Sequence, residues 1–278
     1  MKTFANIGLW GTAILGLAIL WSCGDKPTQS YPESTPPDSI CTGCNYSPVT
    51  VPVITPTGGL GLVTSYGSVF DPQPSGGGAC SYGPTQILNY AAAFSSLEPG
   101  DNKGMWNHGH ACGQCIKVRV GSSTGWREVV VRIVDQCPGG YCGIDLGGAP
   151  ALALMGTHPG RFAGEWTYVS CIGAEGVSDG PSTLFVKYGS NKWWSIVQIR
   201  NPPGAVTSME WTRLRDGAHG TLNWATEADN FYKIPDSLLS SSDSLHFTIH
   251  YWTGDQDSIT LPGTALGVSE ANWDLQKN

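Results

Sequence analysis

Glycine and proline interrupt this chain so often that its apolar runs stay short. There are 37 Gly and 19 Pro in 278 residues, with no sustained heptad pattern. Both residues break helices and supply turns, which favours a turn-rich β fold over a helical bundle. The length leaves room for two domains and a tail. Charged residues make up only 13%, and the formal net charge is -7. A nucleic-acid partner requires clustered Lys and Arg against phosphate, so that class is set aside. The 11 Trp point elsewhere: indole fills cores, and its flat apolar face also stacks on sugar rings.

Residues 1–22 read as an export signal of the lipoprotein type. Lys2 gives a thin positive start, and residues 7–20 are an apolar run too short and too early for a membrane span. Leu20-Trp21-Ser22-Cys23 resembles a bacterial lipobox, in which a small residue precedes a Cys that is acylated and becomes the mature N-terminus. Trp21 is bulky for that pattern, and an ordinary signal peptide is the alternative. Of nine Cys, setting Cys23 aside leaves an even set for disulfides in an oxidising compartment. Cys112 and Cys115, like Cys41 and Cys44, also have zinc spacing; the exported context favours disulfides, and spacing leaves their connectivity open. The expected location is extracytoplasmic, secreted or at the cell surface, with a membrane touched only through the N-terminal lipid.

Residues 23–57 are rich in Pro, Ser and Thr and read as a flexible spacer. A first domain is expected over 58–174. Its strands are placed at 60–66, 116–120, 129–134 and 166–171, and its helices at 84–94 and 148–155. Several strands with few helices suggest a small closed barrel. A second domain is expected over 175–278, with strands at 183–188, 194–200, 208–213, 245–252 and 257–261 and no helix, which suggests a two-sheet sandwich.

An ordered set of motifs then runs through both domains. Gly61-Leu62-Val63-Thr64-Ser65-Tyr66-Gly67 is followed by Gly78-Ala79-Cys80-Ser81-Tyr82-Gly83 and Ala111-Cys112-Gly113-Gln114-Cys115. Next come Val131-Arg132-Ile133-Val134-Asp135-Gln136-Cys137-Pro138, Gly143-Ile144-Asp145-Leu146-Gly147, and a Lys187-to-Asn201 segment carrying Trp193-Trp194. From residue 58 onward this set resembles expansins. The resemblance implies a six-stranded double-psi β-barrel followed by an immunoglobulin-like β-sandwich, with a polysaccharide groove along both. It also implies the pairings Cys80–Cys112, Cys115–Cys171 and Cys137–Cys142, leaving Cys41–Cys44 as a bridge within the spacer. Bacterial expansins often carry Tyr where Cys137 stands, so that position points to the Cys-rich pattern of fungal and plant members.

Asp145 is the foremost site residue. It precedes a Gly-rich turn into a helix, which puts its carboxyl near a loop mouth, although a helix-capping Asp would also stand there. In expansins the matching Asp is needed for wall loosening, and in the related family 45 endoglucanases it is the general acid. Asp135 matches a second groove Asp, with a turn-forming role as the alternative. Thr64 matches a groove Thr, and Tyr66 lies on the same strand face. Inverting hydrolysis needs two carboxylates. The endoglucanase base position is occupied here by Ser68, which cannot act as a base; Asp71, in an Asp-Pro turn, is a poor substitute. The expectation is therefore loosening without hydrolysis, with no metal and no cofactor. The rare lipoprotein A family, which cleaves peptidoglycan, shares the Tyr-Gly and Ile-Asp-Leu motifs, and His110 can be read as its catalytic His. No Glu matches its acid, and it lacks the Trp-Trp strand.

For binding, Lys187, Trp193 and Trp194 are the candidates. Regular strand alternation would bury one of the two indoles, so exposing both requires a strand start or a bulge. Tyr232 is taken as the third stacking aromatic, with Trp224 and Phe231 as alternatives. The expected partner is cellulose or a related β-glucan, with xylan or peptidoglycan as further possibilities, bound by a monomer.

Overall fold

A computed structural model of the protein describes residues 52–67, 78–83, 87–94, 104–122, 125–137, 142–156, 160–226, 228 and 230–277. They fall within one compact unit, 36–278. The first half contains β1 (Val53–Thr55), β2 (Gly58–Tyr66), β3 (Tyr90–Phe94), β4 (Cys115–Ser122), β5 (Gly125–Cys137), β6 (Ile144–Gly147), α1 (Gly148–Met155) and β7 (Phe162–Val169). Six of these strands close a ring in the order β2-β6-β3-β5-β4-β7, with β7 pairing back onto β2. Closure removes the open edges a sheet would otherwise expose. β2 runs parallel to β6 and β3 to β5, while the other neighbours in the ring are antiparallel. This is the expected mainly-β, six-stranded barrel. β1 lies antiparallel along β2, in residues that the sequence places in the spacer.

Alternation explains most of the barrel. Ile116, Val118, Val120, Val131 and Ile133 point into a core with Val63, Ile144, Leu146 and Trp166. Between them Arg119 points outward and pairs with Glu165 at 2.8 Å. β3 departs from the sequence expectation. Residues 84–94 read as a helix, yet Tyr90–Phe94 is a fully buried strand between β5 and β6. Ala91, Ala92 and Ala93 favour helix intrinsically, but pairing on both edges in a crowded interior outweighs a propensity of a few tenths of a kcal/mol per residue, about 0.5. α1 is as expected, with Pro150 near its start and Gly156, at φ +70°, ending it. Three disulfides brace the barrel: Cys80–Cys112, Cys115–Cys171 and Cys137–Cys142.

The second half holds β8 (Thr183–Val186), β9 (Ile196–Arg200), β10 (Val206–Arg213), β11 (His219–Thr221), β12 (Asn223–Trp224), β13 (Tyr232–Lys233), β14 (Ser244–Tyr251), β15 (Gln256–Pro262), β16 (Asn272–Asp274) and β17 (Gln276–Lys277). They form two five-stranded sheets, β11-β10-β14-β15-β17 and β12-β13-β9-β8-β16. Leu184, Val197 and Ile199 from one sheet share a core with Met209, Phe247 and Ile249 from the other. The expected sandwich is present, but it is not free of helix: α2 (Asp236–Leu239) and a 3-10 turn at Gly263–Gly267 cover one end of its core.

The two halves are docked by polar contacts. The Cys80 carbonyl accepts from Gln198 Nε2 at 2.8 Å and from Asn230 Nδ2 at 3.0 Å. Arg132 donates to the Pro202 carbonyl at 3.0 Å, and the Gly176 carbonyl accepts from the backbone of Leu88 and Asn89.

Candidate functional site

Val63, Ile144 and Leu146 point into the barrel core, so their neighbours Thr64 and Asp145 point away from it. The pairing register lays out a row across four strands. Thr64 stands beside Asp145, Asp145 beside Ala92, and Ala92 beside Asp135. Asp135 reaches this row through a bulge: the β3–β5 register slips between Ala91 and Ala92, skipping Val134. The two carboxylate positions are two strand spacings apart, roughly 10 Å between backbones. Ala92 forms the floor between them, with the Cys137–Cys142 bridge and Tyr66 packed around it.

Thr64 Oγ1 donates to Asp145 Oδ1 at 2.6 Å. Burial pushes the Asp145 carboxyl above the ordinary carboxylate range; the Thr64 donor opposes this, and the negative charge of Asp135 adds to it. Tyr66 meets Tyr90 edge-on at 6.0 Å. Gly147 pairs with Tyr66 across β2 and β6, and a Cβ there would collide with the edge of the Tyr90 ring. The Tyr66 hydroxyl is buried without a hydrogen-bond partner among the described residues. Burial, with Asp135, Tyr90 and Asp145 adding, pushes its pKa far up, so it remains a neutral donor. Asp135 is differently engaged. Its Oδ1 accepts from the backbone N–H groups of Ala79 at 2.8 Å and Gln136 at 2.8 Å. Gly78, at φ +62°, lets the chain pass so close to Asp135. Asp135 thus holds the loop whose next residue, Cys80, meets the sandwich.

The second candidate surface lies on the outer face of the β8–β9 sheet. Trp193 and Trp194 precede the first residue of β9, so strand alternation does not govern them. Asn191 and Trp194 exchange backbone hydrogen bonds, and the Asn191 side chain accepts from Trp193 N at 2.9 Å, closing a tight turn. This turn leaves Trp193 72% exposed and Trp194 half-buried on a cluster with Phe185, Ile196 and Phe231. Lys192 sits 4.9 Å from the Trp193 ring, Lys233 4.9 Å from the Trp194 ring, and Lys187 5.9 Å from Phe231. The result is a basic, aromatic face on an acidic protein. Tyr232 does not belong to it. Its ring is 5% exposed in the sandwich core and its hydroxyl donates to Val206 O, because β13 turns Tyr232 inward and Lys233 outward. Phe231 is also buried. Trp224 stacks on His110 of the barrel at 4.1 Å. The residue that sequence reasoning passed over is Tyr188, 73% exposed beside Lys187; only its place in the turn before the Trp pair hinted at it.

The His110 ring is taken up by that contact with Trp224, and burial, with His108 adding, pushes its pKa down. Cys112 and Cys115 enter different disulfides, which ends the zinc alternative for that pair. No cluster of metal-ligating side chains is present among the described residues. Ser68, Asp71, Cys23, Cys41 and Cys44 lie outside the described residues.

No protein-family model matches the chain. Among curated proteins it is similar to rice (Oryza sativa subsp. japonica) Expansin-B16, 32% identical over 172 residues that cover 57% of this chain and 61% of the relative, which is less than two thirds of its length. Rice Expansin-B11 is 28% identical over 260 residues, 84% of this chain and 87% of the relative. Among solved structures, the apo Clavibacter michiganensis expansin superposes with a TM-score of 0.54 at 23% identity, covering 79% of this chain and 95% of that one. A point mutant of the same protein, in complex with cellohexaose, matches with a TM-score of 0.54 at 22% identity. With its motifs in order, its closed barrel joined to a second β domain, and these relatives, the chain is similar to expansins across both halves.

Proposed function

We propose that the protein binds cellulose or a related β-glucan along its aromatic face and barrel groove and loosens the polymer assembly without cutting it. The reading rests on one observation above the others: Asp145 is a half-buried acid with a raised pKa, while the second carboxylate of its row, Asp135, is tied by Oδ1 to two backbone N–H groups. A lone acid can protonate or hydrogen-bond a glycosidic oxygen, but hydrolysis by inversion also needs a base to activate water. Tyr66 contributes an unspent hydroxyl donor beside the acid. Trp193, Trp194 and Tyr188 offer rings for stacking, and Lys187, Lys192 and Lys233 offer donors to sugar hydroxyls. The complex of the Clavibacter relative with cellohexaose supports a β-glucan as the ligand class.

The three disulfides fit an oxidising, extracytoplasmic compartment. With the lipobox-like segment, they lead to the further proposal that the mature chain begins at acylated Cys23 and that the residues between it and β1 space the folded part from a membrane. Mass spectrometry of the exported protein decides it, since a mature N-terminus without lipid removes the anchor.

The functional test measures creep of cellulosic material and release of reducing ends on the same preparation. Creep without new reducing ends, lost in Asp145→Asn, is the expected result. Steady release of oligosaccharides that depends on Asp145 would make the protein a hydrolase and send the search for a base to Asp135 or Asp71.

A further inference from the structure

Arg132 is 1% exposed and spends only part of its guanidinium. Nη2 donates to the Pro202 carbonyl, while Nε and Nη1 make no hydrogen bond among the described residues. Leaving charged donors unpaired in the interior is costly, so an acceptor brought within their reach is favoured. Two clefts at the junction of barrel and sandwich meet at this residue, one of about 330 Å³ and one of about 290 Å³, and both are also lined by Gly180, Pro181 and Asn201. The larger adds a second guanidinium, Arg200, whose Cζ stacks 3.4 Å above the Phe185 ring on the same sheet face as Trp194. Asp179 and Asp274 complete its charged lining.

From this constellation the geometry points to a binding site for an acidic sugar residue, a hexuronate whose carboxylate meets Arg132 and Arg200. The charges select the ligand. A neutral sugar leaves the unpaired Arg132 donors unanswered. A multiply charged inorganic anion meets the Arg pair but also Asp179 and Asp274, which repel it. A monoanion bearing hydroxyls suits both, with its carboxylate on the guanidiniums and its hydroxyl donors on the Asp carboxylates and the Asn201 amide. The larger cleft lies at the low end of the volumes typical of small-molecule sites, roughly 300–1,000 Å³. The site is separate from the Asp145 row and the Trp193 turn; it takes only the saccharide class of its ligand from the function proposed above.

The test is ligand-observed NMR titration of the full chain with D-glucuronate, with D-glucose and acetate as controls. D-glucuronate binds more tightly than either control. Arg200→Gln weakens it by about tenfold, the loss expected for one charge-assisted hydrogen bond. Asp179→Asn strengthens it, because the charge competing for the arginines is gone. Arg132→Gln abolishes binding; should that variant fail to fold, the opposite effects at Arg200 and Asp179 carry the test. Equal binding of D-glucose overturns the proposal, as does acetate competing as well as D-glucuronate, or no change in Arg200→Gln. Cellulose pull-down of Arg200→Gln is expected unchanged, so failure of this site and failure of β-glucan binding are read separately.

Discussion

At the scale of single residues, Asp145 and Tyr66 are placed at a cost to folding, and that cost makes them testable. The folded-state pKa of Asp145 lies above its unfolded value, chiefly through burial. Between those two values the folded protein keeps a proton that the unfolded chain has lost. Stability therefore falls as pH rises through that window and is level below it. Asp145→Asn cannot ionise and its amide oxygen still accepts from Thr64, so its melting temperature at neutral pH is expected at or above that of the parent while creep activity is lost. Thermal denaturation across pH 3–8 checks the sign; a parent protein stabilised by rising pH at this site would contradict it. Tyr66→Phe makes the complementary case. Its hydroxyl has no partner to lose among the described residues, so removal should change stability by no more than about 1 kcal/mol, while creep activity drops. A large loss of stability would instead give the hydroxyl a structural partner.

At the scale of elements, the legible and the illegible divide on whether a segment's environment repeats along the chain. β4, β5, β14 and β15 were readable because each has one face in a core, which writes an alternation into the sequence. β3 was not, because both its edges and both its faces are enclosed, and alanines report only crowding. The slip that skips Val134 and turns Asp135 into the row leaves no mark on composition. Tyr232 was misplaced for a related reason: a two-residue strand writes no alternation, and only the charge of Lys233 marks it as the outward residue and Tyr232 as the inward one. The Trp193–Trp194 turn was anticipated only as a necessity, and Asn191 supplies it. Trp193→Ala with Trp194→Ala should remove most binding to insoluble cellulose, at roughly 1–2 kcal/mol per ring, with the Trp193 change alone nearly neutral for folding. Pull-down alongside thermal melts would show this, and unchanged binding would remove the face from the site. Gly147→Ala should cost about 1–3 kcal/mol, as overpacking against Tyr90 does; a melt at parental temperature would mean the ring can yield.

At the scale of the molecule, the barrel and the sandwich have separate cores but share their junction. Cys115–Cys171 ties the end of β7 to the start of β4 across a sequence separation of 56 residues. Opening it with Cys115→Ser and Cys171→Ser should cost roughly 4 kcal/mol by chain entropy alone, read from denaturant unfolding. Gln198 and Asn230 converge on one carbonyl of the barrel. Replacing both with Ala should leave each core intact and split a single calorimetric transition into two. A transition that stays single would place the coupling elsewhere, in the linker contacts of Gly176.

The convergence on the Cys80 carbonyl bears on what kind of polymer suits the protein. The residue before Cys80 is pinned to Asp135, in the row with Asp145, and Cys80 itself is pinned to the sheet that carries Trp194. Acid and stacking platform are thus bolted to a common plate, and the separation between them is a set length. A bolted pair works as a calliper: a stiff, straight strand spans both jaws at once, whereas a strand that coils must first be straightened and gives up entropy to do so. Selectivity for extended over coiled chains of the same sugar would then be a property of the frame, and the Gln198→Ala, Asn230→Ala protein should lose that preference while each jaw still binds short oligomers.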